Sequence, residues 1–187
     1  MAPSPRVRVY LACSLDGFIA GPDHDIEWLH RDHSAAGDLP HQVGSLGFES
    51  FLREVGAMLM GRGTYDVVEG LGQWPYGDLP VLVATRRPLE PVAPTVQTAE
   101  GEIGELIARA KEAAAGKDVY LDGGNLVRQA LAAGLVDELT LTFIPLLLGE
   151  GLRLFDALVE RNRLQFTSHA SMEGGLLQVS ARLLNPV

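Results

Sequence analysis

A chain of 187 residues that is 47% hydrophobic and 21% charged has the composition of a soluble globular domain, large enough to bury about 70% of its unfolded surface. Its formal net charge of -9 argues against a general nucleic-acid surface, which needs a basic face to displace counterions, but leaves room for a small anion in a local basic pocket. A single cysteine, Cys13, excludes an internal disulfide, and the most apolar run, "LTLTFIPLLLG", has about half the length needed to cross a bilayer.

The opening "MAPSPRVRVYLAC" has no long apolar segment ahead of a cleavage site, so the expectation is a cytoplasmic protein. "VRVYLACS" (Val7 to Ser14) reads as a buried strand. "LDGFIAGPDHDIEWL" reads as loop, broken by Gly17, Gly21 and Pro22, and residues 30–45 read as a polar, irregular insertion. Phe48, Phe51, Leu52 and Val55 fall at helical spacing and predict a helix over Leu46 to Val55. "AMLMG" (Ala57 to Gly61) is a short buried strand, with a helix expected from Thr64 as its polar cap. "VLVAT" (Val81 to Thr85) and "TVQT" (Thr95 to Thr98) predict two further strands. A helix follows over Gly101 to Gly116, with Ile103, Leu106, Ile107 and Ala110 as its stripe. "DVYLD" (Asp118 to Asp122) is a strand, "GGNLVRQALAAG" opens a helix, and "DELTLTFIPLLLG" predicts a long strand. Two alternating runs joined through Glu173-Gly174-Gly175 predict a C-terminal hairpin. The alternation predicts one α/β domain over residues 1–187, its sheet mostly parallel with antiparallel strands at one edge and helices on both faces.

In such a sheet, ligands lie at the carboxyl ends of strands, beside helix N-termini. Glycine-rich turns hold that place after the first strand ("LDGFIAG"), the second ("MGRGTY") and the fifth ("LDGGNL"). Glycine lets a phosphate approach the backbone, although glycines at strand-to-helix turns also serve sterics alone. G-x-G-x-x-G and the Walker lysine are absent. Arg62, Arg86 and Arg87 fall at the same edge and suit a cofactor with one phosphate more than NADH; two solvated arginines at 86 and 87 are the plainer alternative.

"SLDGFIAGPDHDIEWL", "MGRGTY", "VLVATRR" and "LDGGNLV" occur in the order and spacing of the dihydrofolate reductase fold. "GGNLVRQALAAGLVDELTLTFIPLLLGEGLRLF" resembles more closely the reductase domain of the bifunctional riboflavin-pathway deaminase-reductases and their stand-alone relatives, over roughly Val7 to Phe155. The resemblance implies an NADPH site. Ala12, Ile19 and Ala20 would line the nicotinamide, and Gly61, Arg62, Gly63 and Thr64 would hold phosphates and ribose. Thr85, Arg86 and Arg87 would take the 2′-phosphate, and Asp122, Gly123, Gly124, Asn125 and Leu126 would cradle the pyrophosphate. The deaminase half's H-x-E and P-C-x-x-C zinc ligands have no counterpart. The acidic residue that folate reductases carry beyond the loop tryptophan is also not matched after Trp28.

The resulting expectation is an NADPH-dependent reductase passing a hydride to a small heterocyclic substrate. A 5-amino-6-(5-phosphoribosylamino)uracil reductase of riboflavin synthesis is the alternative, and a non-catalytic nucleotide- or ligand-binding module is the rival from another class. Asp16, Glu27 and Asp32 are the candidate proton donors. Trp28, Phe48, Phe51 and Leu52 are candidates for the substrate wall, with core packing the competing reading for the phenylalanines. Asp23, His24 and Asp25 read as solvated loop, and no metal is expected. The apolar run from Leu139 to Leu148 and the final hairpin predict a two-fold homodimer.

Overall fold

A computed structural model describes residues 4–42, 44–156 and 162–184. Met1 to Pro3, the start of the opening segment quoted above, and Val43 of the insertion lie outside the described residues. The elements in chain order are β1 (Val7–Ser14), β2 (Phe18–Ala20), α1 (Phe48–Glu54), β3 (Val55–Gly61), α2 (Arg62–Gly70), β4 (Val81–Ala84) and β5 (Val96–Ala99). There follow α3 (Ile103–Ala113), β6 (Asp118–Asp122), α4 (Gly124–Ala132), β7 (Glu138–Ile144), β8 (Leu152–Arg153), β9 (Arg163–Ser171) and β10 (Leu177–Leu184). Among the described residues, eight strands form one sheet in the order β5-β4-β3-β6-β1-β7-β10-β9. The pairs from β5 to β7 are parallel, and β10 runs antiparallel to both β7 and β9.

Strand alternation divides the core into two layers. Val7 and Val9 of β1, Val119 and Leu121 of β6, and Ala57 and Leu59 of β3 face α3 and α4, meeting Leu106, Ile107, Ala110, Val127 and Leu131. Tyr120 of β6, Met58 and Met60 of β3, and Val81 and Val83 of β4 point the other way, onto Phe51 of α1 and Tyr65 of α2. Helix α3 begins on a capping box in which Glu102 and Glu105 satisfy each other's backbone donors. At the amino end of the sheet the nearly buried Arg8 reaches Glu54 at 2.5 Å and Glu138 at 2.8 Å, with its guanidinium 4.9 Å from the Phe51 ring centre. That end is closed by ion pairs, and the open end is the carboxyl end.

The structure corrects the sequence reading in several places. Helix α2 starts at Arg62 with Gly61 as its cap, not at Thr64. Strand β5 spans Val96–Ala99, one residue later than expected. The long strand after Gly134 stops at Ile144, because Pro145 cannot extend the ladder. The segment after β1 is not all loop: Phe18–Ala20 pairs with Leu152–Arg153, a two-strand contact too short for periodicity to reveal. Strand β7 is an inner strand between β1 and β10, so Leu139 and Leu141 are buried within the chain and are not free for a partner. The polar insertion crosses the C-terminal hairpin, where the Gln42 N–H donates to the Ser171 carbonyl at 2.9 Å and the Leu46 N–H to Gln178 Oε1 at 2.7 Å. Among the described residues no helix is long and apolar enough to cross a membrane.

Candidate active site

Two of the glycine-rich turns meet at the carboxyl end of the sheet. Gly61 ends β3 and caps α2; Gly123 follows β6 and caps α4. Neither helix has a side-chain cap or an acidic residue in its first turn, so both present bare backbone N–H groups and an uncompensated positive dipole end. The two turns touch. Gly123 sits at φ +98°, and a Cβ there would lie 2.8 Å from Thr64 Oγ1 and 3.4 Å from the Gly61 nitrogen. A Cβ on Gly124 would lie 2.8 Å from Ile19 Cδ1 and 3.2 Å from Arg128 Nη1. Side chains at these two positions would fill the space that the turns leave open.

That space is a cavity of about 520 Å³. Ala12 of β1 and Ile19 and Ala20 of β2 form one wall; Gly61, Arg62, Gly63 and Thr64 form the second; Asp122, Gly123, Gly124, Asn125 and Leu126 form the third. The structure therefore brings together twelve of the fifteen residues expected around a dinucleotide. Thr85, Arg86 and Arg87 stand just beyond, after β4, whose last residue Ala84 also lines the cavity. The cations differ in availability. Arg62 is committed, with Nε 2.5 Å from Asp66 Oδ1 and Nη1 donating to the Pro88 carbonyl at 2.9 Å. Arg87 lies 3.5 Å from the other Asp66 oxygen, and its N–H donates to Thr85 Oγ1 at 3.0 Å. Arg86 is exposed, and its side chain has no hydrogen bond or ion pair among the described residues.

Asp122 is the titratable group of the wall. It is 8% exposed, and its Oδ1 accepts the Gly123 N–H at 2.7 Å. Tyr120 Oη stands 3.2 Å from Oδ2 and 2.9 Å from the Tyr10 carbonyl. The phenol's single proton faces two acceptors, the Tyr10 carbonyl and Asp122 Oδ2. Burial pushes the Asp122 carboxyl up to about 6, against the opposing pull of the Gly123 N–H and the Tyr120 hydroxyl.

The three carboxylates proposed from sequence as proton donors do not reach the cavity wall. Asp16 is a latch. Ser14 Oγ donates to its Oδ1 at 2.6 Å, the Leu148 N–H to the same oxygen at 3.1 Å, and the Gly149 N–H to Oδ2 at 2.8 Å. The Ser14 hydroxyl first, and then the two amides, hold its carboxyl down to about 2. Arg153 Nη1 donates to the Asp16 carbonyl at 3.1 Å, so the turn after β1 is tied to the segment after β7. Glu27 is exposed beside Arg31, and Asp32 accepts from the Ser34 N–H and hydroxyl in an exposed turn. Among the substrate candidates, Phe51 is fully buried with its ring centre 4.8 Å from that of Tyr10 and 5.0 Å from that of Tyr120. Phe48 and Leu52 pack on the same cluster, and Trp28 is a buried anchor whose Nε1 donates to the Asp25 carbonyl. None of the four lines the cavity; α1, which carries Phe48, Phe51 and Leu52, spends its apolar face on the aromatic row of the sheet. The wall instead includes His24, read from sequence as solvated loop, together with Ile26, Leu29 and Arg128, which were not singled out.

Fold and site together define a dihydrofolate-reductase-like α/β protein with a cleft at the carboxyl edge of its sheet. The profile of the RibD C-terminal domain matches residues 5–177, and the chain belongs to that family. It is 31% identical to the uncharacterised protein YwjB of Bacillus subtilis (strain 168) over 162 residues, covering 86% of this chain and 88% of that protein. Among solved structures, a Shewanella sp. PV-4 protein bearing a riboflavin-biosynthesis name superposes with a TM-score of 0.81 at 28% identity, covering 96% of this chain and 99% of the other. The fold extends to the Thermotoga maritima diaminohydroxyphosphoribosylaminopyrimidine deaminase/5-amino-6-(5-phosphoribosylamino)uracil reductase, at a TM-score of 0.65 and 16% identity, covering 97% of this chain and 57% of that one.

Proposed function

We propose that this protein is an NADPH-dependent reductase that delivers a hydride to a small heterocyclic acceptor. The observation that carries the reading is the meeting of two uncapped helix N-termini, with glycines at 123 and 124 where a Cβ would intrude, in one cavity beside a buried, protonatable Asp122. The N–H groups at the starts of α2 and α4 would bind the diphosphate, and the free Arg86 would bind the 2′-phosphate. Leu11, Ala12, Ile19 and Leu126 supply an apolar wall that keeps water from the nicotinamide end. Reduced nicotinamide supplies the hydride when bound. Asp122, whose Oδ2 accepts from Tyr120, would in its protonated form give its proton to an acceptor heteroatom; solvent then restores it. This gives the proton-donor role to Asp122, which the sequence reading placed among the cofactor contacts.

The names of the structural neighbours favour a second reading, reduction of the phosphoribosylaminouracil of riboflavin synthesis. One experiment separates the readings. NADPH is titrated by fluorescence, and its oxidation is then followed on adding acceptors, that aminouracil among them. Binding with turnover of another heterocycle supports the first reading, and turnover of the aminouracil the second. Binding without turnover of any acceptor supports a nucleotide-binding module, and no binding refutes both reductase readings and leaves the module that binds another ligand.

We also propose a homodimer, with its contact at the outer strand of the final hairpin, one of the two segments expected from sequence. Among the described residues β9 pairs with the single strand β10, with Gln42 meeting its last residue Ser171, and it exposes Phe166 (72%) and Leu164 along the rest of its open ladder. A second copy of the strand would satisfy that ladder and cover the ring.

A further inference from the structure

We propose that His24 is a cofactor-contacting residue whose imidazole forms a third side of the diphosphate clamp; the inference rests on the NADPH reading above. The short turn Pro22–His24 holds two successive non-glycine residues in the left-handed region, Asp23 at φ 55° and His24 at φ 62°. Side chains other than glycine adopt that conformation at a cost and keep it only where the surroundings impose it. Here the surroundings do. The Gly21 N–H donates to the Asp25 carbonyl at 2.8 Å, the Asp25 N–H to the Pro22 carbonyl at 3.0 Å, and the buried Trp28 indole to the Asp25 carbonyl at 3.1 Å.

The turn delivers the imidazole to the first turn of α2. His24 Cε1 lies 3.8 Å from the point where a Cβ on Gly63 would stand, and both residues line the same cavity. The ring, exposed at the rim, stands at van der Waals distance from that point, alongside the bare backbone of Gly63. Among the described residues, that ring has no hydrogen bond or ion pair. The charged groups around it are largely committed: Asp25 Oδ1 accepts the Glu27 N–H, Arg62 is paired with Asp66, and Arg128 donates to the Arg153 carbonyl. Asp23 on its own turn and Glu150 across the outer rim complete the set. A free imidazole beside bare helix N–H groups can donate to a phosphate oxygen that those groups also bind.

The test is calorimetric titration of NADPH into wild type, His24→Asn and His24→Gly, with a thermal melt of each. Asparagine tolerates the left-handed backbone, and glycine relaxes it. The proposal predicts that both variants fold, that His24→Gly melts no lower than wild type, and that both bind NADPH about five- to tenfold more weakly. A role confined to shaping the turn predicts instead that His24→Gly keeps full affinity, and that result overturns the proposal, as does unchanged affinity in both variants. A wild type that does not bind NADPH overturns the cofactor reading itself, and is distinct from either outcome.

Discussion

Replacing Asp122 with asparagine should stabilise the protein near neutral pH while removing its proton donor. The buried carboxyl is held up to about 6, and an unperturbed aspartate ionises near about 3.9. A gap of about two pH units corresponds to about 2–3 kcal/mol. The folded state favours the protonated carboxyl. That preference is fully present below about pH 4 and is lost as pH rises through about 6, above which the ionised group weighs against folding. Asparagine has the neutral shape at every pH. Its carbonyl can still accept the Gly123 N–H, and its amide can donate to Tyr120 Oη while the phenol donates to the Tyr10 carbonyl. Urea unfolding of both proteins at about pH 4 and about pH 8 should give near-equal stability at the first and an advantage of about 2–3 kcal/mol for Asp122→Asn at the second. Reductase turnover should fall by about 10²–10⁴, the usual worth of a positioned general acid. A stability difference that does not change with pH, or that favours wild type at the higher pH, would refute the reasoning.

Asp16→Ala should lower the melting temperature, because it releases the Leu148 and Gly149 amides. With the folded-state value held down to about 2, the loss should be full above about pH 4 and should vanish as pH falls through about 2, as melts across that range will show. Gly124→Ala should displace Ile19 from the cavity wall and weaken NADPH binding more than it lowers the melting temperature, since the atoms it meets are the ends of flexible side chains. Phe166→Glu should give a monomer where wild type gives a dimer by light scattering, with NADPH affinity unchanged.

The alternation of strands and helices was legible because β-branched runs and helical stripes repeat with different periods, and β1, β3, β4, β6, α3 and the hairpin lie close to where the residues place them. The start of α2 was not, because Thr64 has the side chain of a cap while the cap is a glycine three residues earlier. The three- and two-residue strands β2 and β8 are shorter than any period that could announce them. The cavity wall was reached through the family pattern, and its residues converge as that pattern implies. The commitment of Arg62 to Asp66 was open to a spacing argument, since the two lie four apart on one helix. Burial of Asp122, and the arrival of His24 over Gly63, depend on segments far apart in sequence and have no local signal.

Calorimetric titration of NADPH and NADH into wild type and Arg86→Ala tests the central claim most directly. The account predicts that wild type binds NADPH about ten- to a hundredfold tighter than NADH, and that Arg86→Ala loses that preference while its NADH affinity stays unchanged. No binding of either nucleotide to wild type, or equal loss for both in the variant, would contradict it.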